Sequence, residues 1–90
     1  MEKISPKQLE ELIHWRILNN AIVKSFSFPS FKEALLFVNQ LAKLADKHNH
    51  HPEIKIDYNK VDILLTTKDC GEITEKDFVL AQEIDILIKN

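Results

Sequence analysis

Residues 21–45 read AIVKSFSFPSFKEALLFVNQLAKLA, and the spacing of their apolar residues changes period at Pro29. Before it, Ile22, Lys24, Phe26 and Phe28 alternate with Val23, Ser25 and Ser27. A period of two is that of a strand, here with one aromatic-rich face. After it, Phe31, Ala34, Leu35, Val38, Leu41, Ala42 and Ala45 recur at helical spacing. Phe37 and Leu44 widen that stripe, and Leu36 lies well off it. Ser30 and Glu33 have the spacing of a capping box. The segment thus predicts a strand over Ala21–Phe28 running into the longest helix of the chain. The width of the helical stripe fits either a thick core or a second buried face at a subunit contact.

Upstream, Ser5 can cap a helix, Pro6 suits its first turn, and Gln8 completes a capping box. Ile4 and Leu9 fill the staple positions, and Leu9, Leu12 and Ile13 give only a short stripe. A first strand over His14–Leu18 should follow, turning at Asn19-Asn20, since Asn tolerates the positive φ of tight hairpins.

Downstream, Ile54, Ile56 and Tyr58 alternate with Lys55 and Asp57, and Val61–Thr67 reads as the returning strand. Asn59-Lys60 is the expected two-residue turn. The last helix should begin at Thr74, with Asp77 at its third position and Ile73 and Phe78 as a staple. Its apolar side is Leu80, Ala81, Ile84, Leu87 and Ile88. The order α-β-β-α-β-β-α predicts an α+β fold, a four-stranded antiparallel sheet with three helices packed on one face.

Ninety residues, 44% hydrophobic and 29% charged, describe one globular domain over residues 1–90. A core this small has a thin stability margin, and self-association would widen it. The formal charge of −2, with scattered Lys and Arg, argues against direct nucleic-acid binding. A lone Cys70 fits a reducing compartment. No apolar run is long enough for a membrane span, and MEKISPKQ lacks a signal-peptide core. The expected location is the cytoplasm.

Chemistry concentrates in DKHNHHPE, Asp46–Glu53, which holds three of the four histidines. Imidazole both donates and accepts protons near neutrality. Pro52 disfavours helical backbone at His51, so the long helix should stop here and present imidazoles at its C-terminal end. Polar histidines could equally just terminate a helix, where the dipole favours a cation. His48 and His50 with Asp46 could instead offer metal ligands. Their spacing is not that of helical zinc sites, however, and no second ligand cluster stands elsewhere. No metal is therefore expected.

His50-His51-Pro52, Tyr58-Asn59-Lys60-Val61, Asp69-Cys70-Gly71 and Thr74-Glu75-Lys76-Asp77 together resemble the pterin-4a-carbinolamine dehydratase family. That family's signature places a charged residue four positions before a His, then His or Asn, then Pro, Cys or Ser. An aromatic residue, a His or Trp and an Asp follow at set distances. Asp46, His50, His51, Pro52, Tyr58 and Asp77 fall on it, and the similarity runs from Trp15 through the Phe26-Ser27-Phe28 strand into the long helix. Lys68 departs, standing where the family has His or Trp.

The resemblance implies dehydration of 4a-hydroxytetrahydrobiopterin to quinonoid dihydrobiopterin, recycling a pterin cofactor after an aromatic amino acid hydroxylase has used it. It assigns His50 to acid–base work, His51, with Pro52 and Tyr58, to the substrate, and Asp77 to fixing a histidine. Lys68, a cation at neutral pH, would assist the leaving hydroxide. No cofactor or metal is implied, and the expected assembly is a homodimer or homotetramer. Family members are also known as dimerisation cofactors of a homeodomain transcription factor. A non-catalytic pterin-binding or protein-interaction relative is therefore the alternative reading.

Overall fold

The computed structural model describes residues 4–12 and 14–89. Its elements are α1 (Pro6–Glu11), β1 (Arg16–Leu18), β2 (Ala21–Ser27), α2 (Phe31–His48), β3 (Glu53–Asp57), β4 (Lys60–Leu65) and α3 (Glu75–Lys89). The strands form one sheet in the order β1-β2-β4-β3, with every neighbouring pair antiparallel. This is the α+β architecture that the period change at Pro29 predicts.

The helix starts follow from local chemistry. Ser5 and Gln8 form the full reciprocal box at α1. At α2 the Ser30 hydroxyl accepts the Glu33 N–H at 3.2 Å. Each bond satisfies a backbone donor that the first helical turn leaves orphaned.

Register decides which strand residues face the helices. Ile22 pairs with Leu65, Lys24 with Ile63 and Phe26 with Val61. Directly opposed residues share a face, so Ile22, Phe26, Val61, Ile63 and Leu65 form one buried layer. Against it pack Ala34, Phe37 and Leu41 of α2 and Leu80, Ala81 and Ile84 of α3, with Leu9 of α1 at the margin. Fully burying one such aliphatic side chain contributes about 1.5–3 kcal/mol. Lys24 breaks the apolar alternation, and the structure explains it. Its ammonium lies 2.6 Å from Asp85 of α3 and over the rings of Trp15 and Phe26, while Asp85 also accepts the Trp15 indole N–H.

Several boundaries differ from the sequence expectation. β1 begins at Arg16, with His14 in a turn before it, and Ile13 lies outside the described residues. β2 ends at Ser27, one residue before Phe28. The second hairpin turns at Tyr58-Asn59, not Asn59-Lys60, because Asp57 pairs with Lys60. Tyr58 takes φ of 54° there. Asn59 is held by Phe28, donating its side-chain amide to the Phe28 carbonyl at 2.8 Å and accepting the Phe28 N–H at 2.9 Å. These bonds fix the turn one residue earlier than its composition indicates.

β4 spans Lys60–Leu65, so Thr66 and Thr67 leave the ladder. Thr67 instead closes the following loop, bonding backbone to backbone with Glu72 and Gly71. Gly71 has φ of 66°, the left-handed conformation that glycine adopts without a Cβ penalty.

The α2 stripe is also rotated from its predicted centre. Ala34, Phe37, Leu41 and Ala45 are buried, whereas Phe31, Leu35 and Ala42 are exposed. Phe37 thus lies inside the core and Phe31 outside it. On α3, Ile88 is exposed while Leu80, Ala81 and Ile84 are fully buried.

Candidate active site

Three elements meet at the C-terminal end of α2. Asn49 ends that helix with φ of 50°, and its backbone N–H still reaches the Ala45 and Asp46 carbonyls. The left-handed step reverses the chain, so the His50 N–H returns to the Ala45 carbonyl at 3.1 Å. His50 is thereby turned inward and buried, while His51 emerges at the surface. Asn carries this conformation better than other residues with a Cβ. Asn49→Gly is expected to leave stability within a few tenths of a kcal/mol, and Asn49→Val to cost about 1–2 kcal/mol. Urea unfolding of the two variants measures the difference.

The His50 imidazole meets the first turn of α3. Its Nε2 lies 2.5 Å from Oδ1 of Asp77, whose side chain is 0% exposed. The other carboxylate oxygen accepts the Thr67 hydroxyl at 2.8 Å and the Thr74 backbone N–H at 2.9 Å. Thr67 and Thr74 share a further hydroxyl contact of 2.6 Å. Asp77 therefore closes the start of α3 and holds a histidine at once.

This bonding also fixes a tautomer. A carboxylate accepts and cannot donate, so the Nε2 facing it carries the ring proton. Among the described residues Nδ1 of His50 has no hydrogen-bond partner, so in the neutral ring its lone pair is open to another proton donor. His51 is oriented by Asp46, with Nε2 2.9 Å from Oδ1, but both side chains are largely exposed. His48 turns away to the Glu83 carboxylate of α3. His48 and His50 thus serve different carboxylates and do not converge on a common ion.

A cavity of about 320 Å³ opens beside these groups, lined by His50, His51, Thr67, Lys68 and Lys76, with Asn49, Thr66 and Asp69 completing the wall. Its volume is within the range of small-molecule sites. A larger concavity of about 570 Å³ lies on the open face of the sheet, over Leu18, Val23 and Leu64, and no histidine lines it. The histidines, whose ordinary pKa lies near neutrality, line the smaller one.

The structure brings His50, His51 and Lys68 to this cavity and Asp77 directly behind His50. Pro52 is half-buried next to it without lining it. Tyr58 stands 67% exposed at the β3–β4 turn and does not line it either. Asn49, Thr67 and Lys76 were not singled out as site residues in the sequence, and Thr74 was named only as the start of α3, where its N–H does reach Asp77. Asn49 carried a local signal as an Asn just before a His-His-Pro helix stop, and Thr74 carried one in its helix-start spacing to Asp77.

The family model described as pterin 4 alpha carbinolamine dehydratase matches residues 2–87. The chain belongs to this family. A relative from Sulfurisphaera tokodaii, provisionally named a pterin-4-alpha-carbinolamine dehydratase, is 44% identical over 98% of this chain and 99% of its own. One from Aquifex aeolicus with the same provisional name is 40% identical, covering 92% and 84%. Among solved structures, a transcriptional coactivator/pterin dehydratase from Brucella melitensis superposes with a TM-score of 0.88 at 32% identity, over 94% of this chain and 97% of that one. A pterin dehydratase-like protein, identified as a RuBisCO assembly factor in the alpha-carboxysome, gives 0.66 at 26% identity, over 81% and 84%.

Proposed function

We propose that this chain dehydrates a 4a-hydroxytetrahydropterin, such as 4a-hydroxytetrahydrobiopterin, to the quinonoid dihydropterin and water. The C4a–O bond breaks, the leaving hydroxide takes up a proton, and N5 gives one up. His50 Nδ1 accepts the N5 proton while Asp77 holds the imidazole by its opposite nitrogen. Lys68 supplies positive charge and a proton to the departing oxygen, and His51 orients the ring. Pro52 and Tyr58 are assigned to the substrate on the family pattern alone.

The observation that carries this reading is the 2.5 Å contact between His50 and the fully buried Asp77 at the cavity wall. A buried carboxylate aimed at one ring nitrogen is the arrangement that orients a general base. Proton transfers of this kind need neither a metal nor a covalent intermediate. A turnover assay with the 4a-carbinolamine tests the proposal, with His50→Ala as its decisive variant.

A second reading rests on the likeness to the carboxysome assembly factor, a pterin dehydratase-like protein with an assembly role. On that reading the chain retains the fold and works as a pterin-binding or interaction domain. Bound pterin without turnover would favour it.

A homodimer or homotetramer belongs to the same proposal. Phe31, Leu35 and Leu36 of α2 are exposed, as are Ile54 and Ile56 of the edge strand β3. Both surfaces suit burial against another copy. Light scattering at micromolar concentration should return a multiple of 10.5 kDa, and a monomeric mass would count against the assembly.

A further inference from the structure

Two lysines border the cavity, and the proposed chemistry uses only one of them. Lys68 follows Thr67 in the β4–α3 loop, and Lys76 stands in the first turn of α3, just before Asp77. Both side chains are exposed, and among the described residues neither ammonium has an ion-pair or hydrogen-bond partner. The nearby carboxylates are largely committed: Asp77 to His50, Asp46 to His51, and Glu75 to the Gln8 amide. Asp69 is the one carboxylate of the lining. The wall therefore carries two ammonium groups against one carboxylate, in a chain whose formal charge is −2.

We infer that the site prefers a pterin whose C6 substituent bears an anion, a carboxylate or a phosphate ester, held by Lys68 and Lys76. The inference rests on the pterin reading above and names the substrate class within it. Its geometry comes from the ring itself. C4a and C6 are the two neighbours of N5, so a pterin offering N5 to His50 carries its C6 substituent along the same wall. Lysine stems are long and flexible, so two ammonium groups on adjoining elements can close on one anion without rearranging the backbone. Neutral hydroxyl substituents would also find donors here. An anion gains charge-assisted hydrogen bonds in addition, and these are roughly twice as strong as neutral ones.

The test compares three fluorescent pterins by titration: 6-hydroxymethylpterin, its phosphate ester, and 6-carboxypterin. At low salt the anionic pterins should bind about 10-fold more tightly than the neutral one, and the advantage should shrink at high salt. The phosphate and carboxylate arms identify which anion is preferred. Lys76→Met should reduce the affinity ratio several-fold, Lys76→Arg should preserve most of it, and Lys68→Met with Lys76→Met should bring it to about one. Circular dichroism checks that each variant is folded. Equal affinity of wild type for neutral and anionic pterins overturns the inference and leaves the pterin reading intact. If folded wild type binds none of the three, the pterin reading fails and this inference falls with it.

Discussion

Replacing His50 with Ala should lower the dehydration rate by about 10²-fold or more, with pterin still bound. Positioned acid–base groups typically contribute about 10²–10⁴-fold, and His50 is the imidazole whose orientation the protein enforces from a buried carboxylate. His51 faces an exposed Asp46, so solvent competes for its hydrogen bond. His51→Ala should therefore cost less than His50→Ala. Truncating His50 leaves one oxygen of Asp77 without a protein partner. Thr67 and Thr74 still occupy the other, so the fold should survive with a loss of about 1–3 kcal/mol. Lys68→Met should slow turnover at neutral pH less than His50→Ala does, and Lys68→His should restore or raise it. Steady-state turnover gives the ranking, with pterin fluorescence as the binding control. If wild type and His50→Ala both dehydrate no faster than buffer while pterin binds, the chain is a pterin-binding relative and not a dehydratase.

Element order was legible because it depends on local chemistry. The period change at Pro29 and the pairs Ser5–Gln8 and Ser30–Glu33 act within a few residues; the structure has both bonds of the first box and the Ser30 side-chain bond of the second. Register at the second hairpin was not, since it depends on Asn59 reaching Phe28, 31 residues away. The phase of the α2 stripe failed for a related reason. Phe31, Leu35 and Ala42 match a helical period as well as Phe37 and Leu44 do, and only packing on the sheet decides which of them is covered.

In the site, His50 and Asp77 could be paired from the family pattern, although 27 residues separate them. The Thr74 backbone could be placed against Asp77 from the helix-start spacing, but the Thr67 and Thr74 hydroxyls could not. A threonine hydroxyl has no sequence signature until the loop folds back through Gly71 and sets it against a carboxylate. Lys76 was hidden because one lysine in a helix's first turn looks like any solvated charge. Its significance comes from lining the same cavity as Lys68.

Asp77 separates stability from chemistry, and two substitutions read them independently. Asp77→Ala leaves the His50 Nε2–H and the Thr74 N–H facing a buried void with no acceptor, while the Thr67 hydroxyl can still turn to Thr74. Each buried donor left unsatisfied costs about 1–3 kcal/mol. Domains rarely have more than roughly 5–15 kcal/mol in total, so this variant should unfold at much lower urea than wild type. Asp77→Asn keeps the volume, and its amide has one workable orientation. The carbonyl must face the Thr74 N–H, because an NH₂ there would oppose donor to donor. The NH₂ then meets His50 Nε2, which must accept, and the ring proton moves to Nδ1. Nδ1, the nitrogen assigned to N5, becomes a donor and loses the lone pair that step needs. Asp77→Asn should accordingly stay much closer to wild type in urea than Asp77→Ala, yet lose about 10²-fold or more in turnover. Nitrogen chemical shifts of the His50 ring report the tautomer directly, a readout that a purely capping role for Asp77 would leave unmoved. If Asp77→Asn keeps wild-type turnover and the Nε2–H tautomer, Asp77 serves only to cap α3, and the base assigned to His50 must be oriented some other way.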